Sequence, residues 1–89
     1  MSVYAINKIL FRLENDAAFR EEMQRDGPKA IADFSLTLEE GQALTTGDVS
    51  TLFGMGVHPF LLNHLARHHV FGVDHENYQP RIRGEVRPG

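Results

Sequence analysis

Histidine is the residue type through which this chain could do chemistry. Four of its five imidazoles, His58, His64, His68 and His69, fall within FGMGVHPFLLNHLARHH, residues 53–69. Imidazole near neutral pH serves as metal ligand, proton carrier or helix-end cation, so spacing has to choose between these roles. His64 and His68 are four apart, which sets two side chains on one helix face within chelating reach. A zinc or iron site needs at least a third ligand. No glutamate stands between the two in the HExxH manner, and the only nearby candidates are His58, His75, Asp74 and Glu76. No metal is therefore expected, with His64 and His68 as the minor alternative. The histidines read instead as surface, interface or helix-end residues, since imidazolium at positions 68 and 69 complements a helix C-terminus.

Nucleophilic catalysis finds less support. The chain has no cysteine, and no GxSxG, P-loop or GxGxxG pattern occurs. Ser50 and the dispersed carboxylates Glu39, Glu40 and Asp48 form no recognisable pairing of nucleophile and base. The chain is not expected to be catalytic alone. Gly54-Met-Gly56-Val-His58-Pro59 reads as a corner between helices, with glycines for dihedral freedom and Pro59 starting the next helix. Flanked by Phe53, Met55 and Phe60, it also offers an apolar surface for docking on another protein and edging its ligand pocket.

The elements that must position these residues are helices. Ile6, Ile9, Leu10 and Leu13 follow the i, i+3, i+4, i+7 rule, predicting a helix from Tyr4 to about Leu13 with Ser2 as cap. Asp16 caps a second helix through about Arg25, which Gly27-Pro28 stops, and Lys29 to Phe34 makes a further short helix. Thr37-Leu-Glu-Glu40 is a capping-box pattern opening a helix to roughly Leu44. Asp48 caps a short helix carrying Val49, Leu52 and Phe53. The last helix starts at His58-Pro59 and is predicted to run to about His69. With about 100° per residue, Leu61, Leu62, Leu65 and Ala66 form its apolar stripe. His64 and His68 flank that stripe, and His69 projects into it. Beyond Gly72 the periodicity vanishes. The expectation is an all-α, small multihelical domain of five or six short helices over residues 1–72, with an irregular tail over residues 73–89 that wraps a partner or moves freely.

Composition narrows the class. With 89 residues, 42% of them hydrophobic, and a formal net charge of -3, this is a small domain whose marginal core favours a partner. Acidity argues against nucleic acid, because phosphate binding wants clustered cations; Arg81, Arg83 and Arg87, with Glu85 among them, read as a solvated end. MSVYAINKILFRLEND lacks the uninterrupted apolar segment of a secretion signal, and no stretch approaches the roughly 20 residues that span a bilayer. The expected location is the cytoplasm.

The run GDVSTLFGMGVHPFLLNHLAR, preceded by INKILFRLENDAAFREEMQRD and DFSLTLEEGQAL, resembles the LigA family, the small (alpha) subunits of LigAB-type extradiol ring-cleavage dioxygenases such as protocatechuate 4,5-dioxygenase. The likeness covers about residues 3 to 72. Its most specific part is Gly47-Asp48-Val49 followed by Gly56-Val57-His58-Pro59-Phe60-Leu61-Leu62, whereas Phe34-Ser35-Leu36 stands where the family often has Tyr-Gly-Leu. The resemblance implies a helical subunit embracing a LigB-like large subunit that holds Fe(II), itself binding no cofactor and helping to close the cleft. It implies a pocket edge or partner contact at Phe53, Met55, Gly56, His58, Pro59 and Phe60, and at Phe71, because the family's substrate-facing residues lie where this chain has Val70-Phe71-Gly72. The chain is shorter than full small subunits, which leaves a stand-alone LigA-like interaction domain, or self-association, as the alternative.

Overall fold

The computed structural model describes residues 3–84, which form six helices, with no strand among the described residues. α1 (Tyr4–Asn15) buries Ile6, Ile9, Leu10 and Leu13, the four residues of its predicted stripe. The expected cap Ser2 lies outside the described residues, and Val3 at the N-cap position gives no side-chain bond. Asp16 turns the chain: its Oδ1 accepts from Phe19 N at 3.2 Å to cap α2 (Ala17–Ala30), and its Oδ2 accepts from Arg12 Nη2 at 3.1 Å. Arg20 then donates to the carbonyls of Leu13 and Glu14 at the end of α1, satisfying acceptors that a helix terminus leaves open.

α2 breaks at Asp26 (φ -153°, ψ 82°), one residue before the predicted stop. Gly27-Pro28 ends one segment and starts another. Asp26 Oδ1 caps a last helical turn by accepting from Lys29 N at 3.3 Å, and proline near that start lacks only an N–H that would have had no partner. The short helix expected over residues 29–34 is thus displaced towards the kink, and residues 31–34 form turns that still bury Ile31.

α3 (Leu38–Thr45) begins with the predicted capping box: Glu40 N donates to Thr37 Oγ1 at 3.1 Å, and Thr37 N to Glu40 Oε1 at 2.9 Å. α4 (Val49–Gly54) and α5 (Pro59–Arg67) follow. The remaining helix, α6 (His75–Ile82), corrects the expectation of an irregular chain over its own residues, while residues 85–89 of the expected tail lie outside the described residues. Asp74 and Asn77 exchange two capping bonds at 2.8 and 2.9 Å, and α6 packs on α4 and α5 while burying Tyr78. Only Tyr78 and, more partially, Ile82 turn inward from an otherwise polar eight-residue helix, which leaves too short a stripe for periodicity to register. Arg81, expected to be solvated, is half-buried and donates to the Gly47 carbonyl at 3.2 Å.

The helices α3, α4 and α5 end by one device. In each, the N–H two residues past the cap reaches back five residues, from Asp48 to Ala43 O, from Val57 to Leu52 O and from Val70 to Leu65 O. Such an ending needs a left-handed residue just before that N–H. Gly47 (φ 69°) and Gly56 (φ 105°) supply it for α3 and α4, and His69 (φ 54°) supplies it for α5.

Candidate functional site

The corner between α4 and α5 is fixed from both sides. Asp48 caps α4, its Oδ1 accepting from Thr51 N at 3.3 Å and its Oδ2 from Thr51 Oγ1 at 2.7 Å, so this carboxylate is committed to structure. Val57 is fully buried beside the left-handed Gly56. His58 is the N-cap of α5: its Nδ1 accepts from Phe60 N at 3.0 Å, which places the proton of the neutral ring on Nε2. Pro59 opens the helix, and its carbonyl accepts from Tyr78 Oη at 3.0 Å. Burial pushes the Tyr78 phenol up from its ordinary pKa, so it remains a donor there.

On this frame Phe53 and Phe60 are 49% and 67% exposed, while Met55 is half-buried against the core. The structure therefore brings six of the seven sequence-derived contact residues, Phe53, Met55, Gly56, His58, Pro59 and Phe60, onto one stretch of surface backbone. Phe71 is placed elsewhere. Its half-buried ring lies against Gly27 at the α2 kink, where an added Cβ would run into Phe71 Cε1. The turn carrying it has Phe71 (φ 55°) and Gly72 (φ 78°) left-handed, closed by Val73 N donating to Val70 O at 3.1 Å. A bulky residue in that region is strained, and ring packing in the Gly27 notch offsets the strain.

The histidines disperse. His64 is buried, 5% exposed, and its Nδ1 donates to the Leu10 carbonyl at 3.2 Å. His68 leaves the other way: its Nε2 lies 2.7 Å from Glu14 Oε1, while Arg67 Nη1 holds Glu14 Oε2 at 2.8 Å. These contacts, led by the His68 hydrogen bond, hold the Glu14 carboxyl below its usual range. His69, expected on the stripe of α5, lies past its end and is exposed; its ring meets that of His75 edge to face at 6.4 Å between centroids. Among the described residues no three His, Asp or Glu side chains converge as a metal ligand set. Of the other carboxylates considered for catalysis, Glu40 is buried and gives one oxygen to its capping box.

A scan against protein families supplies the deciding observation: the model of the LigA subunit of the aromatic-ring-opening dioxygenase LigAB matches residues 6–86. The chain belongs to the LigA family. No curated protein and no solved structure matches it. The LigA match runs through α6, beyond the part in which the resemblance was visible residue by residue, in keeping with the packing of Tyr78 under the Pro59 corner. Sequence reasoning missed this brace, although Asp74-His-Glu-Asn77 is a capping pattern with asparagine in place of the usual glutamate. None of the six helices is long and apolar enough to cross a membrane.

Proposed function

We propose that this LigA chain is the non-catalytic small subunit of an extradiol dioxygenase, docking in the cytoplasm on a LigB-like large subunit that acts on protocatechuate or a related catechol. The observation that carries this reading is the α4–α5 corner. There a backbone fixed by the Asp48 and His58 caps, the Gly56 turn and the Tyr78 brace holds Phe53 and Phe60 out of the domain's own core. Rigid exposed aromatics on a pinned backbone bind with little loss of side-chain freedom.

The Fe(II) of the large subunit would bring catechol and O2 together for ring opening. The part taken by this chain is physical. Phe53, Met55 and Phe60 would form an apolar wall at the cleft, excluding water and narrowing the substrates admitted. The His58 ring, held by its cap with Nε2–H directed outward from that bond, can offer one hydrogen bond at the rim. Co-expression with a LigB-like large subunit tests the reading. A complex that opens protocatechuate or a related catechol supports it, and Phe53→Asp should weaken that complex. A chain that forms a stable homo-oligomer and never binds such a subunit would make it a stand-alone interaction domain.

A further inference from the structure

Between the end of α5 and the end of α6 the chain concentrates unfavourable features. His69 (φ 54°) and Phe71 (φ 55°) are the two non-glycine residues with left-handed backbone among the described residues, a conformation strained for a residue with a bulky side chain. Pro80 sits inside α6, where it removes the helical bond to the Glu76 carbonyl. Arg81 carries a buried Nε with no hydrogen-bond partner, and such a donor costs free energy for as long as it stays dry and unpaired. Within α6 little apolar burial opposes these terms: Tyr78 is its one buried residue, with Ile82 half-buried.

Three clasps hold the segment down. The Phe71 ring fills the notch at Gly27 in the α2 kink. Phe71 O, Val73 and Arg81 close over Gly47, so tightly that a Cβ there would run into all three, and Arg81 Nη1 donates to the Gly47 carbonyl at 3.2 Å. Tyr78 Oη donates to the Pro59 carbonyl at 3.0 Å. The segment is thus tied to the α2 kink, to the turn between α3 and α4, and to the α4–α5 corner. Lifting it would let Phe71 leave the left-handed region and let water reach Arg81 Nε, so part of what the broken clasps lose is recovered.

We propose that residues 69–82 form a strap that opens as a unit while α1 to α5 stay folded, and that its opening removes the Tyr78 brace and loosens the α4–α5 corner. Elements that gate binding are drawn from the low-stability end of a fold, and the strained, sparsely buried strap lies at that end. The structure shows the closed state. The bearing of the strap on docking rests on the function proposed above: the closed strap is the docking-competent state, and a partner that binds the braced corner better shifts the population towards it.

The test is native-state hydrogen exchange of the full chain. It is read at the hydrogen-bonded amides of Val73 and Tyr78 in the strap, of Leu61 and Leu62 at the corner, and of buried Leu13 in α1. The strap amides should exchange about a hundredfold faster than Leu13. Phe71→Ala should speed the strap and corner amides together by about tenfold or more. Phe19→Leu changes packing on Phe34 and Arg12, away from the strap; it should speed Leu13 and leave the strap and corner amides as in the parent. Tyr78→Phe should speed the strap and corner amides by about fivefold, and it decides the matter if Phe71→Ala does not fold. If Phe19→Leu speeds the strap amides as much as Leu13, the strap opens only with the whole fold and the proposal is overturned. Corner amides that neither strap variant moves would overturn it too, since the corner would then be independent of the strap. Titration calorimetry against a purified LigB-like large subunit separates this proposal from the small-subunit reading. A strap that opens in a chain that binds no large subunit keeps the strap and removes that reading, and tight binding by a chain whose strap exchanges only with the core does the reverse.

Discussion

His64 and His68 sit four residues apart, yet their rings serve different neighbours: one reaches the Leu10 carbonyl in the core, the other the Glu14 carboxylate at its edge. The spacing was legible in the sequence, but the directions were not, because they depend on how α1 lies against α5. His64→Ala should cost roughly 1–3 kcal/mol of stability, from lost packing and the lost hydrogen bond, measurable by urea unfolding. Glu14 and Asp16 carry a pH dependence whose sign follows from their lowered pKa values. The main causes are the His68 hydrogen bond for Glu14 and the Phe19 N–H and Arg12 for Asp16. A carboxylate with a depressed folded pKa contributes stability that is fully present above its unfolded value, here 4.5 and 3.8. That contribution is lost as pH falls through the lower folded values. The urea midpoint should therefore drop as pH is lowered from about 5, and Glu14→Gln should flatten the upper part of that drop. An unchanged profile would separate Glu14 from the stability of the α1–α5 seam.

At the scale of the elements, the caps and stripes were readable because they are local. Asp16, Thr37 and Asp48 cap the helices they were expected to cap, and the α1 stripe is buried as its spacing requires. What stayed hidden depends on contacts distant in sequence. His69 occupies a seat that glycine fills in α3 and α4, so α5 stops at Arg67 rather than His69. α6 is helical through its capping box and through Tyr78 under Pro59. The glycines can be ranked on this basis. Gly47→Ala combines a left-handed backbone with a Cβ 2.5 Å from Phe71 O and should cost about 2–4 kcal/mol. Gly27→Ala drives a Cβ into the Phe71 ring and should cost about 1–3 kcal/mol. Gly41→Ala, inside α3 with open space around it, should stabilise by roughly 0.5–1 kcal/mol. Thermal or chemical unfolding of the three variants checks the order, and a Gly47→Ala protein as stable as the parent would contradict this view of the α3 ending. Tyr78→Phe, which removes only the bond to Pro59, should cost about 1 kcal/mol.

The whole molecule is a six-helix scaffold whose described residues bring no metal ligand set together and whose rigid corner and exposed aromatics face outward. The GMGVHPFLL run was the most informative part of the sequence, and in the structure it is a pinned corner rather than a reaction centre. Membership of the LigA family rests on a match to residues 6–86, while substrate and partner are the proposals built on it. The most direct measurement is the rate of ring opening by a purified LigB-like large subunit, followed while this chain is added in increasing amounts. The account predicts that kcat/KM rises and saturates at equimolar chain, with a shallower rise for Phe53→Asp. A rate indifferent to the chain, with no complex formed, would contradict it.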